Sequence, residues 1–199
     1  CQLSGCLVLP NNLNYIGESA FSDCEFVGGL IVPSNLPAIY GGTFSNCNFT
    51  GKLDLGNAQI TEGFDCSGFQ GELIIPEGVA EISHSNFRQC GFSTVILPST
   101  IKIIDSDAFR YCGRLMDINF PEGLISIGSA AFEQCRNLSS IVLPSTLQTI
   151  QSGAFDECFG ITSIICHSVE PPIVQSGAFD GVPKDNFTVE VPANAVNRY

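Results

Sequence analysis

Apolar residues recur along this chain in short bursts. Each burst of two to four positions ends at or near a proline, a second aliphatic pair follows, and a phenylalanine closes the unit. In residues 138–158 the burst is Ile141-Val142-Leu143-Pro144, the pair is Leu147 and Ile150, and Ala154-Phe155 closes the unit before Cys158. One unit earlier the same order gives Ile118, Phe120-Pro121, Leu124, Ile127, Ala131-Phe132 and Cys135. The closing phenylalanines are Phe21, Phe44, Phe64, Phe87, Phe109, Phe132, Phe155 and Phe179, spaced by 23, 20, 23, 22, 23, 23 and 24 residues. A period in this range marks a solenoid, in which each unit is too small to bury its own apolar face and must stack on its neighbours.

Alternation inside each burst predicts a strand: Ile141 and Leu143 face the core, while Ser140 and Val142 face away. Strands are expected near residues 7–9, 30–32, 73–75, 95–97, 118–120, 141–143 and 164–166, sharing one parallel sheet. Pro10, Pro33, Pro76, Pro98, Pro121 and Pro144 end them, because proline has no N–H to give a ladder. Leu147, Ile150 and their counterparts return apolar side chains to the core from the opposite wall. The Ser/Gly/Asp stretches that follow are expected to form a one-turn α-helix or 3₁₀ segment carrying Ala-Phe. In the third unit Asp54, Gly56 and a lost proline break the pattern, which predicts a local distortion and, by itself, no site. Near the end, residues 166–172 replace the strand-ending proline with a wider loop. Val189 and Val191 are expected in a last strand, and residues 193–199 as the start of a capping helix.

Composition adds limits. No apolar run approaches the roughly 18 to 20 residues that span a bilayer, so this chain is not expected to insert directly in a membrane. Twenty acidic residues against eight basic give a net charge of −12, which repels phosphate backbones and argues against nucleic acid. Of ten cysteines, eight (Cys1, Cys24, Cys47, Cys66, Cys90, Cys112, Cys135, Cys158) recur once per unit. Stacked rungs lie about 4.8 Å apart with equivalent side chains parallel, whereas a disulfide needs Cβ atoms about 3.8 Å apart and turned together. Reduced, buried thiols are therefore expected. Cys1 falls on the closing-cysteine position, so the sequence is read as beginning mid-repeat, with any export signal or cap upstream; an acylated lipoprotein cysteine is the competing reading.

No catalytic motif, cofactor site or metal-ligand spacing is legible. His84 and His167 lie in separate units and read as lone surface residues. Asp105, Asp107, Asp156 and Glu157 read as turn acids. Sequons at Asn48, Asn137 and Asn186 matter only in a eukaryote. The outward mid-strand column exceeds that plain picture. It runs Val8, Ile31, Asp54, Ile74, Ile96, Asn119, Val142, Ile165 and Glu190, and six of the nine are β-branched aliphatics. Lys52, Glu72, Thr94, Asp117, Ser140 and Ser163 flank it as a polar rim. Such residues stabilise neighbouring strands on a pleated surface. They equally make an apolar stripe on which a partner docks.

The pattern Leu-x-x-Ile-x-Leu-Pro, Leu-x-x-Ile, Ala-Phe-x-x-Cys resembles the BspA-like leucine-rich repeat family of bacterial, Bacteroidales-type cell-surface proteins. Residues 138–158 match it from end to end, and Cys66-Ser-Gly-Phe-Gln-Gly-Glu-Leu-Ile-Ile-Pro76 carries its second flavour. The resemblance implies an α/β leucine-rich-repeat solenoid. It would be a right-handed superhelix of about eight repeats of 22–24 residues, occupying 1–199 as a single domain, with 188–199 opening a C-terminal capping segment. It also implies a secreted or surface-displayed, non-enzymatic adhesin that binds host matrix protein or another cell surface. A stalk, or the targeting region of a larger surface enzyme, remains the alternative.

Overall fold

The computed structural model describes residues 2–60, 64–65, 67–185 and 187–199; Cys1, Cys66 and Asn186 lie outside them. Every strand pairing among the described residues is parallel. A front ladder joins Leu7–Val8, Leu30–Ile31, Leu53–Asp54, Gln70–Ile74, Gly91–Ile96 and Asp117–Ile118. Beyond it, Ser140–Leu143, Ser163–Cys166 and Thr188–Glu190 form a second ladder. The registers of both ladders, such as Leu7 opposite Leu30 and Ile141 opposite Ile164, pair each residue with its equivalent one unit on.

The opposite wall is also a ladder. Glu81–Ile82, Ile103–Ile104, Ser126–Ile127, Thr149–Ile150 and Ile173–Val174 pair in order, and Ala38–Ile39 pairs with Gln59–Ile60. Of the aliphatic pairs placed here by the sequence, the second member (Ile82, Ile104, Ile127, Ile150) lies on a strand of two residues, too short for period-2 alternation to show, while the first (Val79, Ile101, Leu124, Leu147) closes the corner before it. A further pair, Gln2–Ser4 with Glu25–Val27, precedes the front ladder. Proline acts as the corner between the walls. The carbonyls of Pro10, Pro33, Pro98, Pro121 and Pro144 accept from the N–H three residues on, at 2.9–3.3 Å, which closes a β-turn.

The expected single sheet is interrupted. In earlier rungs a main-chain carbonyl at the outward position accepts the strand-ending N–H of the previous rung, as in Val32 to Asp54 at 2.8 Å and Ile75 to Ile96 at 2.9 Å. At the next such step the Asn119 side chain takes over. Its Oδ1 accepts from Leu97 N–H at 2.7 Å and its Nδ2 donates to Leu97 C=O at 3.0 Å. This rung keeps two ladder residues, 117–118, instead of the expected 118–120, and its pairing does not continue to Ser140–Leu143. The bridge runs back to Leu97, so it accounts for the pairing with Gly91–Ile96 ending at Val95 and Ile118.

The closing segments are turns, and no α-helix or 3₁₀ helix occurs among the described residues. Residues two before the closing phenylalanine (Ser19, Gly42, Ser85, Asp107, Ala130, Gly153, Gly177) have positive φ, and so do those two after it (Asp23, Asn46, Gln89, Tyr111, Gln134, Glu157, Gly181). Left-handed residues at that spacing preclude a helix. They instead aim alternate N–H groups along the stacking axis: Ala130 N–H reaches Ser152 C=O, Phe132 reaches Ala154 and Gln134 reaches Asp156, at 3.0, 2.8 and 2.8 Å. The capping helix expected at 193–199 is likewise replaced by turns, closed by Ala195 N–H to Pro192 C=O and Arg198 N–H to Ala195 C=O, both 2.8 Å.

Between the walls runs one connected core, from Leu9 to Val182. Consecutive closing phenylalanines, Phe21 to Phe179, stack with centroids 5.2–5.7 Å apart. Phe26, Phe49, Phe69 and Phe92 make a parallel stack; Leu115, Leu138 and Ile161 continue it as buried aliphatics. Each stacked pair adds about 0.5–1.5 kcal/mol beyond area burial. The described ladder cysteines are free thiols, and Cys47, Cys90, Cys112, Cys135 and Cys158 are buried.

Candidate binding face on the parallel sheet

The inward and outward assignment holds. Leu30, Leu53, Leu73, Val95, Ile118, Ile141 and Ile164 are buried, whereas Val8, Ile31, Ile74, Ile96 and Val142 are exposed, from 39% at Ile96 to 62% at Val8. Ile165 is partly exposed. Lys52, Asp54, Glu72, Asp117, Asn119 and Glu190 are exposed on the same face. Registers then show a grouping. Val8 is paired with Ile31 and Ile31 with Asp54; Ile74 is paired with Ile96; Val142 is paired with Ile165 and Ile165 with Glu190. With Asn119 on the rung after Ile96, the column reads aliphatic, aliphatic, polar three times over. The apolar face is three patches of two rungs, each about 5 Å across along the stacking axis, separated by Asp54 and Asn119.

The polar separators differ. Asn119 is committed to Leu97. Asp54 Oδ1 accepts from Gly56 N–H at 3.0 Å, inside the distorted third unit. There the corner is one residue tighter, with Ala58 N–H bonded to Leu55 C=O at 3.1 Å. Gly56 is left-handed, at φ 56°, and a Cβ on it would lie 2.7 Å from Val32 O. Without the bulk of a proline, the face opens there into a 260 Å³ notch walled by Lys52, Asp54, Glu72 and Ile74. A second depression of 360 Å³ adjoins Glu190, Ile165 and His167.

The other titratable groups serve the walls. Arg110 bridges Asp107 at 3.0 Å and Glu133 at 2.8 Å; these contacts, led by the Glu133 hydrogen bond, raise its pKa above the ordinary guanidinium value. Arg88 lies 3.7 Å from Asp65 and Arg136 lies 3.5 Å from Glu157. His84 stands 4.0 Å from Asp107 and His167 3.8 Å from Glu122, both histidines exposed. The Ser145 hydroxyl and N–H hold Glu122 below the usual carboxylate range. Asp105 accepts from Ser106 N–H at 2.6 Å, and burial raises Asp156. Among the described residues no group of three or more His, Cys, Asp or Glu side chains is placed to hold a metal ion, and no helix is long and apolar enough to cross a membrane.

One role was not foreseen. The ladder cysteines, read as small apolar fillers, also donate. Cys47 Sγ reaches Phe21 C=O at 2.9 Å, Cys112 reaches Phe87 at 3.1 Å, Cys135 reaches Phe109 at 3.2 Å and Cys158 reaches Phe132 at 3.0 Å. Their regular place two or three residues after each phenylalanine was the available signal.

Comparison with known proteins agrees with this geometry. The family model described as the BspA type leucine rich repeat region matches in six copies, over residues 1–63 and 59–184. Among solved structures, a leucine rich cell surface protein from Faecalibacterium prausnitzii superposes with a TM-score of 0.59 at 18% identity, over 97% of this chain and 62% of the other. A leucine-rich repeat protein from Bacteroides ovatus gives 0.53 at 23% identity, over 94% and 60%. The leucine rich repeat protein of T. pallidum gives 0.51 at 20%, over 78% of each chain. The chain thus spans about three fifths of the length of the first two, and at these identities the likeness is one of fold. A search of curated proteins found no significant match. With six family copies spread over nearly all of a period-22 solenoid, the chain belongs to the BspA-type leucine-rich repeat family.

Proposed function

We propose that this chain is a non-enzymatic, extracellular protein-interaction module, working as one domain over residues 1–199 and docking a partner on its front sheet. The observation that carries the reading is the aliphatic column left in solvent on the front sheet of an acidic molecule: Val8, Ile31, Ile74, Ile96 and Val142 are all exposed, and no described segment covers them. Strand propensity alone is satisfied equally well by threonine, so the use of Val or Ile at six of the nine outward positions, these five and Ile165, favours docking. The continuous core supports treating the whole as one domain. Surface display is supported by family membership and by the solved structure named as a cell surface protein; a host extracellular matrix or cell-surface partner is what the family resemblance implies.

The test is binding to immobilised, purified host matrix proteins by wild type and by the triple variant Ile74→Thr, Ile96→Thr, Val142→Thr. Losing three apolar contacts should weaken binding about tenfold or more, while β-branching is kept and melting changes little. If melting collapses while binding per folded molecule is unchanged, the column is structural and the docking reading fails. Failure of wild type to bind any matrix protein would remove the matrix partner.

A further inference from the structure

Acids lie on both faces of this molecule, but their cationic partners do not. Arg88, Arg110 and Arg136 are paired with carboxylates on the turn wall. The front sheet presents Asp54, Glu72, Asp117 and Glu190 against a single cation, Lys52. Two of these acids, Asp54 and Glu72, wall the 260 Å³ notch, whose remaining lining is Leu53, Leu55, Ile74 and Pro76 with Lys52 and Gly56. Gly56 and the shortened corner are what open it. Asp54 has one oxygen engaged with Gly56 N–H and the other without a hydrogen bond among the described residues. Lys52 lies one residue before the Leu53–Leu73 pairing, opposite Glu72, yet forms no ion pair with it or with any other described residue.

Resting on the docking reading above, we infer that this notch receives a lysine or arginine side chain of the protein partner. Ile74, Leu55 and Pro76 would contact its aliphatic stem, and Asp54 and Glu72 its charged head. A long cationic side chain fits both halves of that lining, since its methylene stem packs on apolar surface while its head stays polar. The depression beside Glu190 and Ile165 repeats the acid-next-to-isoleucine arrangement five rungs away, about 24 Å at the usual strand spacing. The partner surface is therefore basic, with aliphatic contacts between its cations.

The notch can be tested without the partner. The probe is n-butylguanidinium, titrated into the whole chain while the methyl resonances of Leu53, Leu55 and Ile74 are followed by NMR, with n-butanol and butyrate as neutral and anionic controls. Saturable shifts confined to those methyls are expected for the guanidinium alone. Asp54→Asn retains an acceptor for Gly56 N–H, so its fold is preserved. It and Glu72→Gln should each weaken binding by about two- to fivefold, as for exposed charge pairs. Lys52→Gln, which removes a competing cation, should tighten it, and added salt should weaken it. Equal shifts with n-butanol, or indifference to Asp54→Asn and Glu72→Gln, would overturn the assignment.

The two readings fail separately. If Asp54→Asn/Glu72→Gln leaves matrix-protein binding intact while Ile96→Thr/Val142→Thr abolishes it, the docking face stands and the notch falls. If butylguanidinium binds and no matrix protein does, the notch stands and the matrix-protein reading falls.

Discussion

Ala130 sits at φ 53° with no side-chain group to compensate, while the equivalent position one rung on is Gly153 at φ 66°. A Cβ in the left-handed region costs about 1–2 kcal/mol, set here against the rung-to-rung bond from Ala130 N–H to Ser152 C=O. Ala130→Gly should therefore stabilise the protein by up to about 1 kcal/mol, contrary to the usual cost of added glycine, and Gly153→Ala should destabilise it by about the same. Urea denaturation of both variants checks the pair. The thiols make a second residue-scale prediction. Burial pushes Cys47 up to about 11 and Cys158 up to about 12, from 9.0, and raises Cys112 and Cys135 as well. The folded state holds protons that the unfolded chain gives up near pH 9, so this contribution is fully present below that pH and is lost as pH rises towards 11–12. Melting temperature should be flat in this respect from pH 7 to about 9 and then fall, less steeply in Cys158→Ala.

Asn119 shows how one side chain edits an element. Its carboxamide serves both the N–H and the C=O of Leu97, and the ladder stops at its strand. Removing it by Asn119→Ala leaves a partly buried donor and acceptor to water or to nothing, at a cost of about 1–3 kcal/mol. Faster exchange of the Leu97 amide, together with a lowered urea midpoint, is the expected result. An unchanged Leu97 amide would mean that the backbone re-forms the ordinary ladder bond. The prolines act in the opposite sense. They end each strand and then close the corner with their own carbonyl, so one residue type supplies both the stop and the turn.

At the scale of the molecule, each rung meets only its neighbours, so stability is a sum of rung and interface contributions along a line. Phe109 is fully buried and stacks at 5.5 Å on Phe87 and at 5.4 Å on Phe132. Phe109→Ala should cost about 3–5 kcal/mol and uncouple the rungs on either side. Phe21 is only partly buried and stacks on Phe44, so Phe21→Ala should cost less and fray the first rungs alone. Hydrogen exchange read rung by rung separates these outcomes. Uniform loss of protection along the whole chain for Phe21→Ala would show a single cooperative unit and refute the linear picture.

The rung period, the inward and outward sides of the front strands, the closing phenylalanine stack and the once-per-rung cysteine column were all legible in the sequence. Each depends on a residue meeting its own equivalent one unit away, as Leu30 meets Leu53 and Phe132 meets Phe155, so periodicity alone specifies the contact. Even the grouping of the outward column was written there, in Val8, Ile31 and Asp54 and their two later counterparts. Other features arose only from bonds between main chains of different rungs. These made the rear pairs such as Thr149–Ile150 into strands, turned the phenylalanine segments into left-handed turns instead of helix, and aimed the cysteine thiols at carbonyls. The notch at Asp54 belongs with these: the lost proline was visible, but that its absence leaves a cavity, and not a collapsed surface, depends on how Leu55, Gly56 and Ile74 settle against neighbouring rungs.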